Sequence, residues 1–228
     1  MTPQLIVPGV YLLPFEIGQV YLWEWDGGLT VVDTSIAGSA DAIVKAIQAI
    51  GRQPADVSEI VLTHFHDDHR GSAADLAERT GAPVLAHWAD APIMRGELPG
   101  PPPVLLDFER PIFEAVTPLV PPAPFVPGVR EVDDHQQSAG GGVFVSVPGH
   151  TAGSLALHLP LLGVLFTGDT IAFHEGQPIL GVFNVDREEA IRSLKKQAAL
   201  DVETACFGHG APIVGGASQQ LRALASSL

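Results

Sequence analysis

The chain has 228 residues, enough for one domain with a substantial buried core. Its hydrophobic content of 46% and charged content of 17% are typical of folded globular proteins. Only 12 Lys and Arg residues stand against 26 Asp and Glu residues, and the formal net charge of -14 argues against nucleic-acid binding through a basic face. No apolar run is long enough to cross a membrane, so we expect no membrane partner.

Cysteine usage and the N-terminal residues bear on the cellular compartment. Cys206 is the only cysteine, so an internal disulfide is excluded and a reducing compartment is expected. Residues 1–5 contain no basic side chain ahead of the short apolar stretch, which argues against a secretory signal. We therefore expect a cytoplasmic protein in which the Cys206 thiol is buried and inert.

The first part of the chain alternates between strand and helix patterns. We predict strands at residues 10–13, 19–25, 29–33, 59–63 and 83–86. We predict helices at residues 40–50, with Ser39 as the N-cap and Gly51 after the end, and at residues 73–80, ended by Gly81. This alternation indicates an α/β fold.

Residues 92–127 hold more than half of the chain's 20 prolines. Proline disfavours helix interiors and central strands, so beyond a helical turn near residues 91–96 we predict irregular structure. We interpret about 92–128 as an insertion within a single domain covering residues 1–228. Three roles stay open for this Pro-rich insertion: a surface connection, a lid over a pocket, or a contact between two copies in a homodimer.

Ordered structure is predicted again after the insertion. We predict strands at residues 143–147, 154–159, 163–167 and 204–207. Asp186, followed three residues later by Glu189, forms a capping box that starts a helix ending near residue 199. A terminal helix is predicted for residues 217–228.

The strongest chemical signal is the segment from His64 to His69, which reads His-Phe-His-Asp-Asp-His. Three imidazoles and two carboxylates this close together cannot all be core groups, because each would need a partner to offset its desolvation. The segment follows a predicted strand, so His64 and His66 can face one cation, while Asp68 and His69 can face its neighbour. Imidazole with carboxylate suits zinc, and also iron or manganese.

Three further polar residues each follow a predicted strand and lie beside glycine. They are His150 in Gly-His-Thr, Asp169 in Gly-Asp-Thr and His209 in Gly-His-Gly. Glycine permits the sharp backbone turns that such loops require. Each of these motifs is weak alone, but together with the first segment they predict a metal site.

The motifs HxHxDH, GHT, GDT and GHG, in this order over about residues 10–215, resemble the metallo-β-lactamase superfamily, and more narrowly its glyoxalase II-like and lactonase-like branches. The resemblance implies a four-layer αββα sandwich of two mixed β-sheets flanked by helices. It implies two divalent metal ions, with zinc expected and manganese or iron as alternatives. The metals would lie at one edge of the sandwich, between the sheets.

The resemblance also implies a role for each polar residue. The first metal would be held by His64, His66 and His150, and the second by Asp68, His69 and His209. Asp169 would bridge both metals. Asp33 would support the ligand loop without binding a metal, since ligating histidines need partners that fix their tautomers.

The activity that this ligand set implies is hydrolysis by a metal-bridging hydroxide. The substrate would be a small ester, lactone, thioester or amide, and Asp68 would act as a catalytic proton shuttle. Quorum-signal lactonases carry a tyrosine shortly after the bridging aspartate, where this chain has Phe173 and His174. We therefore treat Phe173 and His174 as candidate substrate contacts.

Other activities stay open. A mononuclear iron dioxygenase acting on persulfides would use two histidines and one aspartate of the same set. A zinc β-lactamase activity and a metal site without catalysis are further alternatives.

Overall fold

Two mixed β-sheets face each other, and helices cover their outer surfaces. The computed structural model describes residues 2–228. In chain order, the first half contains β1 (Gln4–Val7), β2 (Val10–Leu13), β3 (Val20–Trp25), β4 (Gly28–Val32), α1 (Ala40–Ala49), β5 (Val57–Val61), α2 (Asp67–Arg70), α3 (Ala73–Thr80), β6 (Val84–His87), α4 (Ala91–Met94) and α5 (Glu109–Val116).

The second half continues with a larger share of strands. It contains β7 (Arg130–Val132), β8 (Val143–Ser146), β9 (Leu155–Leu159), β10 (Val164–Phe166), β11 (Ile171–His174), β12 (Gln177–Leu180), α6 (Arg187–Ala198), β13 (Thr204–Cys206), β14 (Ile213–Val214) and α7 (Ala217–Ser227).

The first sheet has the order β1-β2-β3-β4-β5-β6-β7. Its pairs are antiparallel from β1 to β4 and parallel from β4 to β7. The second sheet has the order β14-β13-β10-β9-β8, with β10 and β13 as its parallel pair. The strands β11 and β12 form a separate hairpin. The predicted sandwich of two mixed sheets is confirmed.

Three apolar clusters hold these layers together. One packs α1 and α3 on the first sheet, another packs α6 and α7 on the second sheet, and the third fills the space between the sheets. Cys206 belongs to the middle cluster and is 1% exposed, as predicted. Burial raises the pKa of its thiol far above the usual range, which makes the thiol unreactive.

The helix ends test the capping predictions. In α6, the Asp186 carboxylate accepts a hydrogen bond from the Glu189 amide, so this predicted N-cap is confirmed. Ser39 occupies the N-cap position of α1, as predicted, but its side chain makes no capping hydrogen bond. The Ser39 amide instead donates to the Ser72 hydroxyl at 2.7 Å, because α1 and α3 pack together at this point.

The Pro-rich insertion is more regular than predicted. It contains α5, although its proline content predicted irregular chain beyond residue 96. Pro111 does not prevent the helix because it lies in the first turn, where backbone N–H groups lack intrahelical partners anyway. Five strands were also missed, namely β1, β7, β11, β12 and β14, because each is short and gains stability only from its pairing partner.

Among residues 2–228, no helix combines the length and apolar character that crossing a membrane requires.

Candidate metal centre

The predicted polar residues follow the ends of β5, β8, β10 and β13, and Asp68 and His69 lie on the short helix α2. Because β10 and β13 run parallel, the loops carrying Asp169 and His209 leave the same edge of the second sheet. The backbone amide of Leu155 donates to the Thr63 carbonyl at 2.8 Å, which joins the loop after β5 to the second sheet. All seven predicted ligands therefore meet at one edge between the two sheets: His64, His66, Asp68, His69, His150, Asp169 and His209.

The first group of donor atoms consists of three imidazole nitrogens. His66 Nδ1 lies 3.0 Å from His64 Nε2 and 3.0 Å from His150 Nε2. A neutral imidazole carries a proton on only one of its two nitrogens. When the outer nitrogen of each ring holds that proton, the three facing nitrogens are all acceptors and cannot hydrogen-bond to one another. We call this set the histidine group.

The second group combines two imidazoles with a carboxylate. His209 Nε2 lies 3.3 Å from His69 Nε2 and 3.2 Å from Asp68 Oδ2. His69 is fully buried, and Asp68 Oδ2 lies 3.7 Å from its Nε2 atom. We call this set the mixed group.

Asp169 lies between the two groups. Its Oδ2 atom is 3.2 Å from His209 Nε2, 3.4 Å from His69 Nε2 and 3.9 Å from His150 Nε2. Its Oδ1 atom is buried and has no hydrogen-bond partner. A Cβ at Gly208 would lie 2.0 Å from that oxygen, so only glycine allows the loop after β13 to approach Asp169 this closely. Asp169 therefore presents Oδ2 to both groups, while its other carboxylate oxygen is buried and unpaired.

Asp33 orients one histidine of each group. Its Oδ2 atom accepts hydrogen bonds from His69 Nδ1 at 2.9 Å and from the Thr63 hydroxyl at 2.8 Å. Since the hydroxyl donates to Asp33, its oxygen accepts from His64 Nδ1 at 3.0 Å. Both outer nitrogens are thereby protonated, and the Nε2 atoms of His64 and His69 point into the cluster. The structure places Asp33 where a supporting residue is expected.

His150 is oriented by a backbone carbonyl. Its Nδ1 atom donates to the Val182 oxygen at 3.1 Å, which leaves the Nε2 lone pair directed at His66. The next residue, Phe183, has a positive φ of 61°, an uncommon conformation for a large side chain. Its backbone amide donates to the buried Glu109 carboxylate at 3.2 Å, so α5 holds the chain in this conformation.

The two groups differ in electrostatics. Burial and the neighbouring His150 imidazole lower the pKa of His66 to about 3. Burial also opposes the charge on His209, but the Asp169 and Asp68 carboxylates outweigh it and raise the pKa of His209 to about 10. At neutral pH the histidine group therefore offers free lone pairs, whereas the mixed group holds protons that a bound cation would displace.

The arrangement fits metal ions. Three sets of three residues each bring one donor atom per residue to within 4.8 Å of the others: His64, His66 and His150; His64, His69 and Asp169; Asp68, His69 and His209. Converging lone pairs and an unpaired buried carboxylate oxygen would be costly without a cation to bind them.

A protein-family model described as the metallo-beta-lactamase superfamily matches residues 13–209. The chain belongs to this superfamily. The membership predicted from the order of the four motifs is confirmed. Membership and the donor cluster together identify a metal-binding protein of a hydrolase superfamily.

Individual superfamily members show how far the similarity extends. The chain is 26% identical to the probable metallo-hydrolase YflN of Bacillus subtilis, over 91% of this chain and 86% of that protein. It is 34% identical to a hydroxyacylglutathione hydrolase of Cereibacter sphaeroides, over 80% of this chain but only 58% of that protein. A Cronobacter sakazakii metallo-beta-lactamase with a HARLDQ motif has a TM-score of 0.71 at 25% identity, covering 92% of this chain and 78% of that one.

The two predicted substrate contacts lie differently. The Phe173 amide donates to the His209 carbonyl at 3.0 Å, and its ring stacks on Phe207, so this residue borders the cluster. The His174 side chain is 70% exposed, has Glu175 as its ionic neighbour at 3.9 Å and joins none of the three donor sets. Substrate contact by either residue stays a prediction.

Asp90, which is fully buried, is a site residue that the sequence did not predict. Its carboxylate accepts from the Phe65 amide at 3.0 Å, the Thr151 hydroxyl at 2.7 Å and the Gly153 amide at 2.7 Å. It thereby joins the loop of His64 and His66 to the loop of His150. An aspartate just before a short helix is usual, so its sequence context indicated nothing more than a helix start.

Proposed function

We propose that this protein is a hydrolase that uses two divalent metal ions on a small ester, lactone, thioester or amide. Zinc is the expected metal, with manganese or iron as alternatives. The observation that carries the proposal is the shared position of Asp169, whose Oδ2 atom faces donors of both groups. One cation would be held by His64, His66 and His150, the other by Asp68, His69 and His209, and both by Asp169.

Bound divalent cations supply Lewis acidity, which lowers the pKa of water and stabilises negative charge on a carbonyl oxygen. The chain's own residues supply the rest. Asp33 and the Val182 carbonyl keep the imidazole lone pairs directed inward. Asp68 Oδ2 faces His209 and its side chain is 19% exposed, so it can take a proton from the nucleophile and pass it to the leaving group.

One observation favours a second candidate. His64, His69 and Asp169 form a set of two histidines and one carboxylate, the ligand pattern of mononuclear iron oxygenases. A persulfide dioxygenase using this set is therefore the alternative. Hydrolysis of β-lactams is a further candidate activity, and the substrate panel described next includes it.

Metal analysis combined with a substrate panel tests the proposal. We expect about two equivalents of zinc or manganese per chain, and turnover of at least one class among lactones, thioesters, esters and amides. The panel should include a β-lactam, a phosphodiester and a persulfide with oxygen monitoring. One equivalent of iron with oxygen uptake on the persulfide, and no hydrolysis, would replace the hydrolase proposal with the dioxygenase.

A further inference from the structure

A cavity of about 490 Å³ lies beside the donor cluster, between the ligand loop and the Pro-rich insertion. His66 belongs to both the cavity wall and the histidine group. The volume is within the range of small-molecule sites. The cavity is therefore placed to receive the part of a substrate that extends away from the reacting carbonyl.

Apolar side chains form about half of the cavity wall. They include Phe65 and Ile93 on the body of the protein, and Leu98, Pro99 and Phe125 on the insertion. Aromatic and aliphatic walls favour apolar groups, since the area removed from water stabilises the bound state.

Two glycines bring the insertion close to these rings. A Cβ at Gly100 would lie 2.6 Å from the Phe65 ring, and one at Gly96 would lie 2.9 Å from the Phe125 ring. Both distances are shorter than van der Waals contact. The backbone of the insertion therefore packs directly on the two aromatic rings.

The charges at the cavity do not suit an anion. Arg70 is the only cationic side chain that lines it among residues 2–228. Its guanidinium donates to the Phe65 carbonyl at 2.7 Å, the Pro124 carbonyl at 2.9 Å and Asp67 Oδ1 at 2.7 Å. With these contacts and a side chain that is 8% exposed, Arg70 has little capacity left for a ligand. The other charged lining residues are the carboxylates Asp67 and Glu97.

We propose that this cavity binds an uncharged apolar acyl or aryl group, so that the preferred substrate is a neutral ester or lactone with an apolar side chain. The inference rests on the proposed hydrolase function of the neighbouring donor cluster. An anionic group in the cavity would lose hydration without gaining a free cationic side chain, which disfavours substrates that carry a carboxylate there.

The test compares phenyl esters with the metal-loaded protein. From butanoyl to octanoyl, we expect kcat/KM to rise about two- to fourfold per methylene, the factor that follows from burying about one CH₂ group. An octanoyl chain ending in a carboxylate should react at least about tenfold more slowly than the same chain ending in a methyl ester. No gain with chain length, or equal rates for the charged and capped chains, would overturn the inference.

Matched phenylalanine variants locate the effect. Phe125 lines the cavity and is 59% exposed, while Phe108 is 60% exposed on the same insertion and does not line it. Phe125→Ala should reduce the octanoyl-to-butanoyl ratio of kcat/KM at least about threefold because it removes apolar contact area. Phe108→Ala should keep the wild-type ratio. Equal ratios in both variants would contradict the assignment of the cavity.

A binding measurement separates this inference from the hydrolase proposal. Calorimetry with octan-1-ol, which is neutral and has no hydrolysable bond, reports on the cavity without turnover. If no ester is hydrolysed but octan-1-ol binds and Phe125→Ala weakens its binding, ester hydrolysis fails while the cavity assignment stands. If octan-1-ol does not bind, the cavity assignment fails even where esters are hydrolysed.

Discussion

The histidine group and the mixed group lie side by side and share Asp169, yet they differ in charge and in their supports. The histidine group contains three imidazoles without a carboxylate of its own, and burial keeps His66 neutral. The mixed group contains Asp68, and its imidazoles lie between carboxylates that favour the protonated form. The difference shows that one cluster can offer one neutral and one anionic site, so two cations would bind with different affinity and pH dependence.

Removing the shared carboxylate should have the largest effect. In Asp169→Ala both groups lose their common oxygen, and we expect turnover to fall by at least about a thousandfold, comparable to or beyond the loss of a single oxyanion donor. Bound metal, measured by mass spectrometry of the native protein, should fall with it. Asp201→Ala is the control, because that side chain is 99% exposed. Full activity in Asp169→Ala would remove the bridging assignment.

Removing one imidazole from each group tests whether the groups are separate sites. We expect both His66→Gln and His209→Gln to lower the stoichiometry from about two metals to about one, because each removes one of only a few ligands from a site. Cobalt substitution and absorption spectroscopy should then give different spectra for the two variants, since the remaining sites differ in carboxylate content. Identical spectra would mean that the two groups do not act as distinct sites.

Asp33→Asn should weaken both groups together, since Asp33 contacts His69 directly and His64 through Thr63. We expect metal affinity to fall about 10- to 100-fold, the usual effect of losing such a partner. Competition with a chromogenic chelator measures this loss. If the affinity falls for only one of the two metal equivalents, Asp33 supports only one group.

Asp90→Asn should act mainly on the histidine group. The new NH₂ group would face either the Gly153 amide or the Phe65 amide together with the Thr151 hydroxyl. The lost hydrogen bonds should lower the free energy of unfolding by about 1–3 kcal/mol. The readouts are denaturant unfolding and metal affinity. We expect the affinity for the metal ion bound by the histidine group to fall more than the affinity for the ion bound by the mixed group. Equal weakening of both would assign Asp90 a purely structural role.

The last prediction concerns the pH dependence of metal binding in the unsubstituted protein. The pKa of His209 is raised to about 10 in the metal-free protein, so a cation binding to the mixed group at pH 7 must displace its proton. The apparent affinity of this group should therefore rise as pH increases toward 10, by at most about tenfold per pH unit for each proton displaced. The histidine group holds no such proton, and its affinity should change little between pH 7 and pH 9. If the metal affinities of both groups change with pH in the same way, the two groups do not differ in protonation as described.

The sequence by itself determined the fold class, the family and the residue types at the site. Helices such as α3 and α6 follow from local signals, namely apolar periodicity, the glycine after α3 and the Asp186 cap. The seven predicted donors could be named because each lies next to a turn in a motif of few residues. Helix α5 was not predicted because the proline content of residues 92–127 disfavours helix, whereas Pro111 lies in the first turn, where proline is tolerated.

Only the tertiary structure decided how these residues combine. His69 faces His209, which is 140 positions away, and Asp90 joins loops that are more than 60 positions apart in the chain. The cavity also depends on the tertiary structure, because its walls come from the ligand loop and the Pro-rich insertion. The physical reason is that hydrogen bonding and packing depend on distance in space, whereas the sequence patterns report only on neighbours within a few residues.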